Sequence, residues 1–143
     1  MVENKGTSEP PQPDGEKPRR HPRKAASLPV TFQVISCLDT KKRSSLTEAV
    51  LRDISLGGLS FFTPEASVDG LHVSYDATPI QRNYLLIEVA FPPPYGPIRV
   101  LGQCVWFERG FEEARGSFAV GVEFQRFSKD GEEILSRYIK AIS

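Results

Sequence analysis

The sequence is poor in the residues that metal centres and disulfide frameworks require. It contains 2 cysteines and 2 histidines among 143 residues, and the cysteines, Cys37 and Cys104, lie far apart in the chain. Two scattered thiols cannot build a disulfide framework or a zinc site, so we expect reduced thiols and no bound metal. Neither histidine, His21 or His72, has a second potential ligand at a metal-binding spacing.

The chain also lacks an excess of charge and a long apolar run. Lys plus Arg and Asp plus Glu each number 18, and this balance argues against a histone-like wrapper of nucleic acid. No apolar segment approaches the roughly 18 residues of a membrane span, and the first residues lack the apolar core of a signal peptide. We therefore expect a soluble, cytoplasmic, single domain that buries its own core.

Catalytic motifs are missing as well. The sequence has no Gly-x-Ser-x-Gly nucleophile motif, no Gly-x-Gly-x-x-Gly motif and no phosphate loop that ends in Lys-Ser or Lys-Thr. We therefore expect that the protein is not an enzyme, and we interpret its carboxylates as solvated surface charges.

Composition and periodicity divide the chain into parts. Residues 1–16 are rich in proline and polar side chains, and we expect them to be disordered. Residues 17–26 form a basic arm with five fixed positive charges and no acid. We expect a β-barrel over residues 28–127 and a helix over residues 130–142.

Alternation of apolar and polar residues indicates six half-buried strands, of which Val30-Thr31-Phe32-Gln33-Val34 is a clear example. Six strands at this spacing predict a closed or nearly closed antiparallel barrel. Residues 64–83 show no pattern that places strands. At the end of the chain, Asp130 and Glu133 are spaced for a capping box. The apolar residues that follow share one helical face: Ile134, Leu135, Tyr138, Ile139 and Ile142.

Two short motifs suggest a binding function. The first, Arg19-Arg20-His21-Pro22-Arg23, is an Arg-x-x-x-Arg motif, which chance alone would produce about 0.8 times in this composition. The second, Asp53-Ile54-Ser55-Leu56-Gly57-Gly58, is an Asp-x-Ser-x-x-Gly motif, which chance would produce about 0.04 times. Taken alone, the second motif is equally well explained as an ordinary turn between strands, because its residue types favour turns.

The two motifs in this order, one on a basic arm and one at a strand end, resemble the PilZ domain family. Bacterial members of this family are typically receptors for cyclic di-GMP. The resemblance covers roughly residues 17–142, including Val105-Trp106 and the strand around Val120-Gly121-Val122, so we assign the domain to residues 17–143. It implies a six-stranded antiparallel, split β-barrel with a C-terminal helix, which agrees with the periodicity.

The resemblance also implies a binding site whose chemistry suits that ligand. Arg19 and Arg23 would bind phosphate and the acceptor edge of guanine, because a guanidinium group donates two parallel hydrogen bonds. Asp53 would accept the N1–H and N2–H donors of the other guanine edge. The other residues assigned to the site are Arg20, Ser55 and Gly58, with Lys24, Gly57 and Trp106 as possible additions.

We expect specific roles for Ser55 and Gly58, and we consider two explanations for Trp106. Ser55 would add a hydroxyl contact, and Gly58 would either adopt a positive φ or let the ligand approach closely. Trp106 is a candidate wall of the site, and a tryptophan in the core or closing the barrel is at least as good an explanation.

Three functions stay open from the sequence. A receptor would order its basic arm over the ligand and signal through another protein, and flagellar, polysaccharide, secretion and transcription machinery are all compatible. A ligand-independent interaction domain of the same family would lack both motifs, which this chain has. A nucleic-acid binder with a basic arm would carry aromatic residues in that arm, and residues 17–24 have none.

Overall fold

The computed structural model describes residues 24–25, 27–75, 81–111 and 117–142. The predicted disordered tail, residues 1–16, lies outside these ranges. The elements in chain order are β1 (Lys24–Ala25), β2 (Pro29–Ile35), β3 (Thr47–Ile54), β4 (Gly58–Thr63), β5 (Ser67–Val68), β6 (Leu71–His72), β7 (Tyr84–Ala90), β8 (Pro97–Phe111), β9 (Ser117–Phe127) and α1 (Gly131–Ile142).

Six of the strands close into an antiparallel barrel. The order around the wall is β3, β2, β7, β8, β9 and β4, and β4 pairs back onto β3. The short strand β1 adds to β3 outside this ring. The structure thus confirms the predicted six-stranded barrel, in which every long strand has a neighbour on each side.

Residues 64–83, whose structure the sequence leaves open, include a separate small hairpin. β5 and β6 pair with each other and with no barrel strand among the described residues. Their turn contains Asp69 at φ 53° and Gly70 at φ 82°. Two left-handed residues in succession are typical of tight hairpin turns. Two-residue strands are too short to show an alternation of apolar side chains, which is why the pattern was absent.

The core fills the inside of the barrel with side chains from alternate positions. In β2, Val30, Phe32 and Val34 are at most 1% exposed, and the rings of Phe32 and Phe61 lie 5.0 Å apart. Burial of one such large side chain stabilises the fold by roughly 1.5–3 kcal/mol. Other fully buried side chains come from several elements: Leu51, Ile54, Leu59, Leu85, Ile87, Ile98 and Leu135.

Helix α1 packs through Leu135 and Tyr138, as its apolar face predicts. The Tyr138 ring stacks on Phe91 with centroids 4.2 Å apart, and it meets the edge of Tyr95 at 5.4 Å. Phe91 and Tyr95 belong to the segment that joins β7 to β8. The helix is therefore held to the barrel by the proline-rich connector as well as by the wall.

The predicted capping box at the start of α1 does not form. The Asp130 carbonyl accepts a hydrogen bond from the Ile134 amide at 3.0 Å, so Asp130 holds the first position before the helix. Its φ is 63°, whereas a capping side chain works from the extended region. Within the described chain, no hydrogen bond joins Asp130 to Glu133. The backbone turn from Ser128 to Gly131 begins the helix instead.

Candidate functional site

Four residues of the candidate site form a row across the outer wall of the barrel. Asp53 on β3 pairs with Ser60 on β4, Ser60 pairs with Gly121 on β9, and Gly121 pairs with Trp106 on β8. Leu59 and Phe61, the neighbours of Ser60 in β4, are fully buried in the core. Because side chains alternate along a strand, the row faces outward. We call these four residues the outer row.

Asp53 is oriented by a buried neighbour. The hydroxyl of Ser60, which is 0% exposed, donates to Oδ1 of Asp53 at 2.8 Å. A carboxylate has about four acceptor positions, of which this bond uses one. The sequence analysis missed Ser60, although it is the lone polar side chain in Leu59-Ser60-Phe61-Phe62 and so carried a signal.

The hydroxyl of Ser55 is used within the turn that follows β3. Its Oγ accepts from the amides of Gly57 and Gly58 at 3.2 and 3.3 Å, and it donates to the Gly58 carbonyl at 3.3 Å. The Ser55 side chain is 3% exposed. A direct contact from this hydroxyl to a ligand would have to replace one of these bonds.

The two glycines of the motif tie the turn to the barrel. The Gly57 carbonyl accepts from the Phe124 amide of β9 at 3.0 Å, and Gly58 is the first residue of β4. Among the described glycines, positive φ occurs at Gly70 and Gly96 and not at Gly58. Positive φ is therefore not the reason for a glycine at position 58, and Gly58 is buried beside the turn.

Trp106 lies on the outer wall and not in the core. Its indole covers Gly121, and a Cβ atom at that position would collide with the ring. The side chain is partly exposed. Trp106 is therefore the one bulky aromatic side chain of the outer row, at the opposite end from Asp53.

Arg52 is a second residue that the sequence analysis missed. Leu51 pairs with Phe61 and Asp53 pairs with Ser60, so the register shifts by one residue at a bulge that contains Arg52. The bulge lets both Arg52 and Asp53 avoid the core. The Arg52 Cζ atom lies 5.7 Å from the Phe62 ring and 5.9 Å from the Trp106 ring, within the range of cation–π contacts.

The basic arm joins the barrel beside Asp53. In β1, Lys24 pairs with Ile54 and Ala25 pairs with Asp53. The chain just before this point carries the other three basic candidates, Arg19, Arg20 and Arg23, which lie outside the described residues. For Lys24 the structure describes the backbone pairing alone.

Among the described residues, two groups have shifted pKa values, and neither belongs to the outer row, although the Cys104 thiol donates to the Trp106 carbonyl at 3.1 Å. Burial raises the pKa of the Cys104 thiol to about 11, so this cysteine is protonated and a weak nucleophile at neutral pH. Burial lowers the pKa of His72, whose Nδ1 accepts from both the amide and the hydroxyl of Ser74 at 3.1 and 2.8 Å.

Within the described ranges, no three metal-ligating side chains cluster, and no helix is long and apolar enough to cross a membrane.

Comparison with known protein families identifies one match over most of the chain. The family model of the PilZ domain matches residues 17–141. No curated protein matches the chain.

Solved structures share the fold at low sequence identity. The PilZ domain with c-di-GMP of YcgR from Escherichia coli superposes with a TM-score of 0.58 at 21% identity, covering 88% of this chain and 92% of that one. The Bacillus subtilis inhibitor of motility MotI/DgrA gives 0.57 at 14% identity over 88% of this chain and 51% of its own. The K. pneumonia MrkH–c-di-GMP complex gives 0.57 at 15% identity over 87% and 52%. The chain thus spans about half the length of the last two.

Proposed function

The chain belongs to the PilZ domain family, and from this membership and the geometry above we propose that it is a receptor for cyclic di-GMP. The observation that carries the proposal is the pairing of Ala25 with Asp53. This pairing brings the end of the basic arm to the strand end that carries the Asp-x-Ser-x-x-Gly motif. The two motifs, 30 residues apart in sequence, would then act on one ligand.

Asp53 would read the guanine base. Its carboxylate can accept the N1–H and N2–H donors together, and the bond from Ser60 holds it in one orientation. A ligand that reaches this carboxylate must lie against the outer row. Trp106 and the Arg52 guanidinium would then flank it, since flat side chains of this kind stack on bases.

The arm would supply the charge that neutralises the two phosphodiesters. Arg19 and Arg23 are assigned to phosphate and to the acceptor edge of guanine, with Arg20 and Lys24 as additional contacts. Ordering a flexible segment costs roughly 2–5 kcal/mol, whereas one bidentate arginine contact to guanine is worth about 1–3 kcal/mol. Two arginines and Asp53 together offset the ordering, and stacking provides the surplus.

The glycine turn would shape the site. Since the Ser55 hydroxyl is engaged by Gly57 and Gly58, we assign Ser55 chiefly to holding the turn and Gly58 to close approach of the ligand. Gly57 is partly exposed and its backbone is open to a flat base, whereas Gly58 is buried, so a ligand would reach Gly58 only if its cover moved.

The receptor would act as an effector through another protein. PilZ members are receptors and not enzymes, and we extend that role to this chain, with the domain at residues 17–143 and the protein in the cytoplasm. MotI/DgrA is described as an inhibitor of motility and MrkH as a c-di-GMP-dependent transcription regulatory factor, so motility or transcription machinery is compatible as the partner.

Calorimetric titration of the full chain with cyclic di-GMP tests the proposal, with GTP and cyclic di-AMP as control ligands. We expect saturable binding of cyclic di-GMP, a strong loss in Arg23→Ala, and no change in Arg137→Ala, whose side chain is exposed on α1. Arg23→Lys should also bind poorly, because lysine keeps the charge and loses the planar fork.

The melting curve of each variant separates binding from folding. If wild type does not bind cyclic di-GMP, the chain is a ligand-independent interaction domain. If Arg23→Lys binds as wild type does, the arginine acts as a simple charge and the bidentate contact is wrong.

A further inference from the structure

A long surface groove runs along the part of the barrel wall formed by β2, β7, β8 and β9. Its larger section has a volume of about 670 Å³ and a smaller section of about 340 Å³ adjoins it, with Arg43, Leu86 and Arg99 lining both. The larger section ends near Phe127, and the smaller section reaches Leu46. None of the outer-row residues lines either section. We call this feature the arginine groove.

The floor of the groove is apolar. Leu86 on β7 and Leu101 on β8 are register partners that point outward and stay partly exposed. Leu46, at the end of the smaller section, is 70% exposed. The barrel core is filled by other side chains, so these leucines contribute little to it. Contiguous apolar side chains on a surface are typical of interaction sites.

The rim of the groove is positively charged. Arg43 comes from the loop between β2 and β3, Arg99 from β8, and Arg126 from β9. Arg43 follows the exposed residues Lys41 and Lys42 in a basic loop that contributes no residue to the outer row. Three elements distant in sequence therefore direct arginines to one groove.

Few carboxylates balance these arginines. Glu88 lies 3.2 Å from Arg99 in an exposed pair, and it is the sole carboxylate among the residues that line the groove. Arg43 donates through Nε to the Thr40 carbonyl at 3.1 Å. Asp39, in the same loop, accepts from the Lys41 amide. Arg126 is exposed and takes part in no salt bridge within the described residues.

We propose that the arginine groove binds an acidic segment of a protein partner, in which carboxylates flank leucine-like side chains. Carboxylates match the planar fork of arginine, and apolar side chains match the floor. The groove is elongated, which suits a peptide better than a compact ligand. The inference does not depend on binding of cyclic di-GMP.

The chain's own first 16 residues are a poorer match for the groove. They carry four carboxylates, at Glu3, Glu9, Asp14 and Glu16, which suit the rim. Apart from prolines, their apolar side chains are Met1 and Val2 alone, both at the first end of the segment, so most of its length offers no apolar side chain to the leucine-lined floor.

The test uses the full-length protein and two synthetic peptides. The first is Glu-Glu-Leu-Leu-Asp-Glu-Leu, and the second replaces each acid by its amide. NMR titration should shift the amides of Leu86 and Leu101 with the acidic peptide, and the amide version should bind about fivefold more weakly. Added salt should weaken binding of the acidic peptide and leave binding of the amide version unchanged.

The same charge reversal inside and outside the groove provides a test variant and its matched control. Arg126→Glu should reduce affinity for the acidic peptide about fivefold, whereas Arg137→Glu, an equally simple change on exposed α1, should leave it unchanged. Thermal melts of both variants confirm that each is folded.

Several results would overturn the proposal. The proposal is wrong if Arg126→Glu and Arg137→Glu change the affinity for the acidic peptide equally. It is also wrong if this peptide shifts amides outside the groove, or if it does not bind saturably. Loss of a concentration-dependent dimer in Arg126→Glu would assign the groove to a second copy of the chain. If, without peptide, Arg126→Glu shifts the resonances of residues 1–16, the groove belongs to the chain's own N-terminal segment.

Discussion

At the scale of single residues, the bond from Ser60 to Asp53 is the contact on which the proposed discrimination between bases depends. The carboxylate is held by a buried hydroxyl at 2.8 Å, so it presents acceptors in a defined direction. Guanine offers two donors on its Watson–Crick edge, whereas adenine has an acceptor at N1 and no amine at C2. An adenine in this place would leave two acceptors facing each other, at a cost of about 1–3 kcal/mol per group.

Asp53→Asn tests this discrimination. We expect wild type to prefer cyclic di-GMP over cyclic di-AMP by about tenfold or more, because 1.4 kcal/mol corresponds to about tenfold. Asparagine keeps the shape of the side chain and replaces one acceptor with a donor. It should therefore weaken binding of cyclic di-GMP more than binding of cyclic di-AMP and reduce the ratio of the two affinities. Calorimetric titration of both proteins with both ligands measures the ratio. An unchanged ratio would place guanine recognition elsewhere.

Ser60→Ala tests whether the orientation of Asp53 matters. The change removes one hydrogen bond, worth about 0.5–1.5 kcal/mol, and should weaken cyclic di-GMP binding roughly two- to tenfold. Ser136→Ala, on the exposed side of α1, is the matched control and should bind as wild type does. Both variants are compared by calorimetry and by thermal melts. Equal affinity in Ser60→Ala and wild type would mean that Asp53 needs no orienting partner.

At the scale of elements, the short strand β1 sets where the basic arm can act. Its two residues pair with Ile54 and Asp53 at the end of β3, so the arm meets the barrel at one end of the outer row. Under the proposed function, this attachment limits the distance that the arm must cover to reach a ligand.

We expect the arm to become ordered on binding. NMR relaxation of the full chain should show residues 18–26 lose fast motion when cyclic di-GMP is added, while residues 1–16 stay mobile with and without it. The composition of the first segment offers no apolar side chains for packing, whereas the second carries the charges. An arm that is already rigid without ligand would contradict ordering as part of the mechanism.

At the scale of the whole molecule, the core and the two proposed binding surfaces lie in different parts of the fold. The core lies inside the barrel and beneath α1, whereas the outer row and the arginine groove lie on the outside of the wall. Along a strand, alternate residues face the core, and the residues between them face the outer surface of the barrel. A change under the helix should therefore alter stability with little effect on the ligand.

Leu135→Ala tests this separation. The side chain is 0% exposed beneath α1, and its truncation should lower the free energy of unfolding by about 2–5 kcal/mol. Ile142→Ala, at a residue 38% exposed, should have a much smaller effect. Urea unfolding measures both, and calorimetry below the transition should find cyclic di-GMP affinity unchanged in each. A large loss of affinity in folded Leu135→Ala would couple the helix to the site.

Local patterns in the sequence predicted most of the framework. Alternation around Val30, Phe32 and Val34 identified β2, and the helical face of Leu135 and Tyr138 identified α1, since both periodicities depend on neighbouring residues alone. The capping box failed because the φ of Asp130 is left-handed, which residue types do not reveal.

The outer row depended on tertiary structure. Asp53 and the glycine turn were identified as candidates from one short motif, whereas the basic arm stays a prediction from its charge. Ser60, Gly121 and Trp106 meet Asp53 through the register of strands far apart in sequence, and no local pattern specifies that register.

The sequence by itself determined that a barrel with one terminal helix would form, because burial of alternate apolar side chains is a local requirement. The closed sheet decided which outward residues became neighbours. Arg52 reached Trp106 through a bulge, and Arg43, Arg99 and Arg126 came to one groove from three elements. Contacts on the outside of a barrel follow from strand order and register, which arise when the sheet closes and all its backbone groups are paired at once.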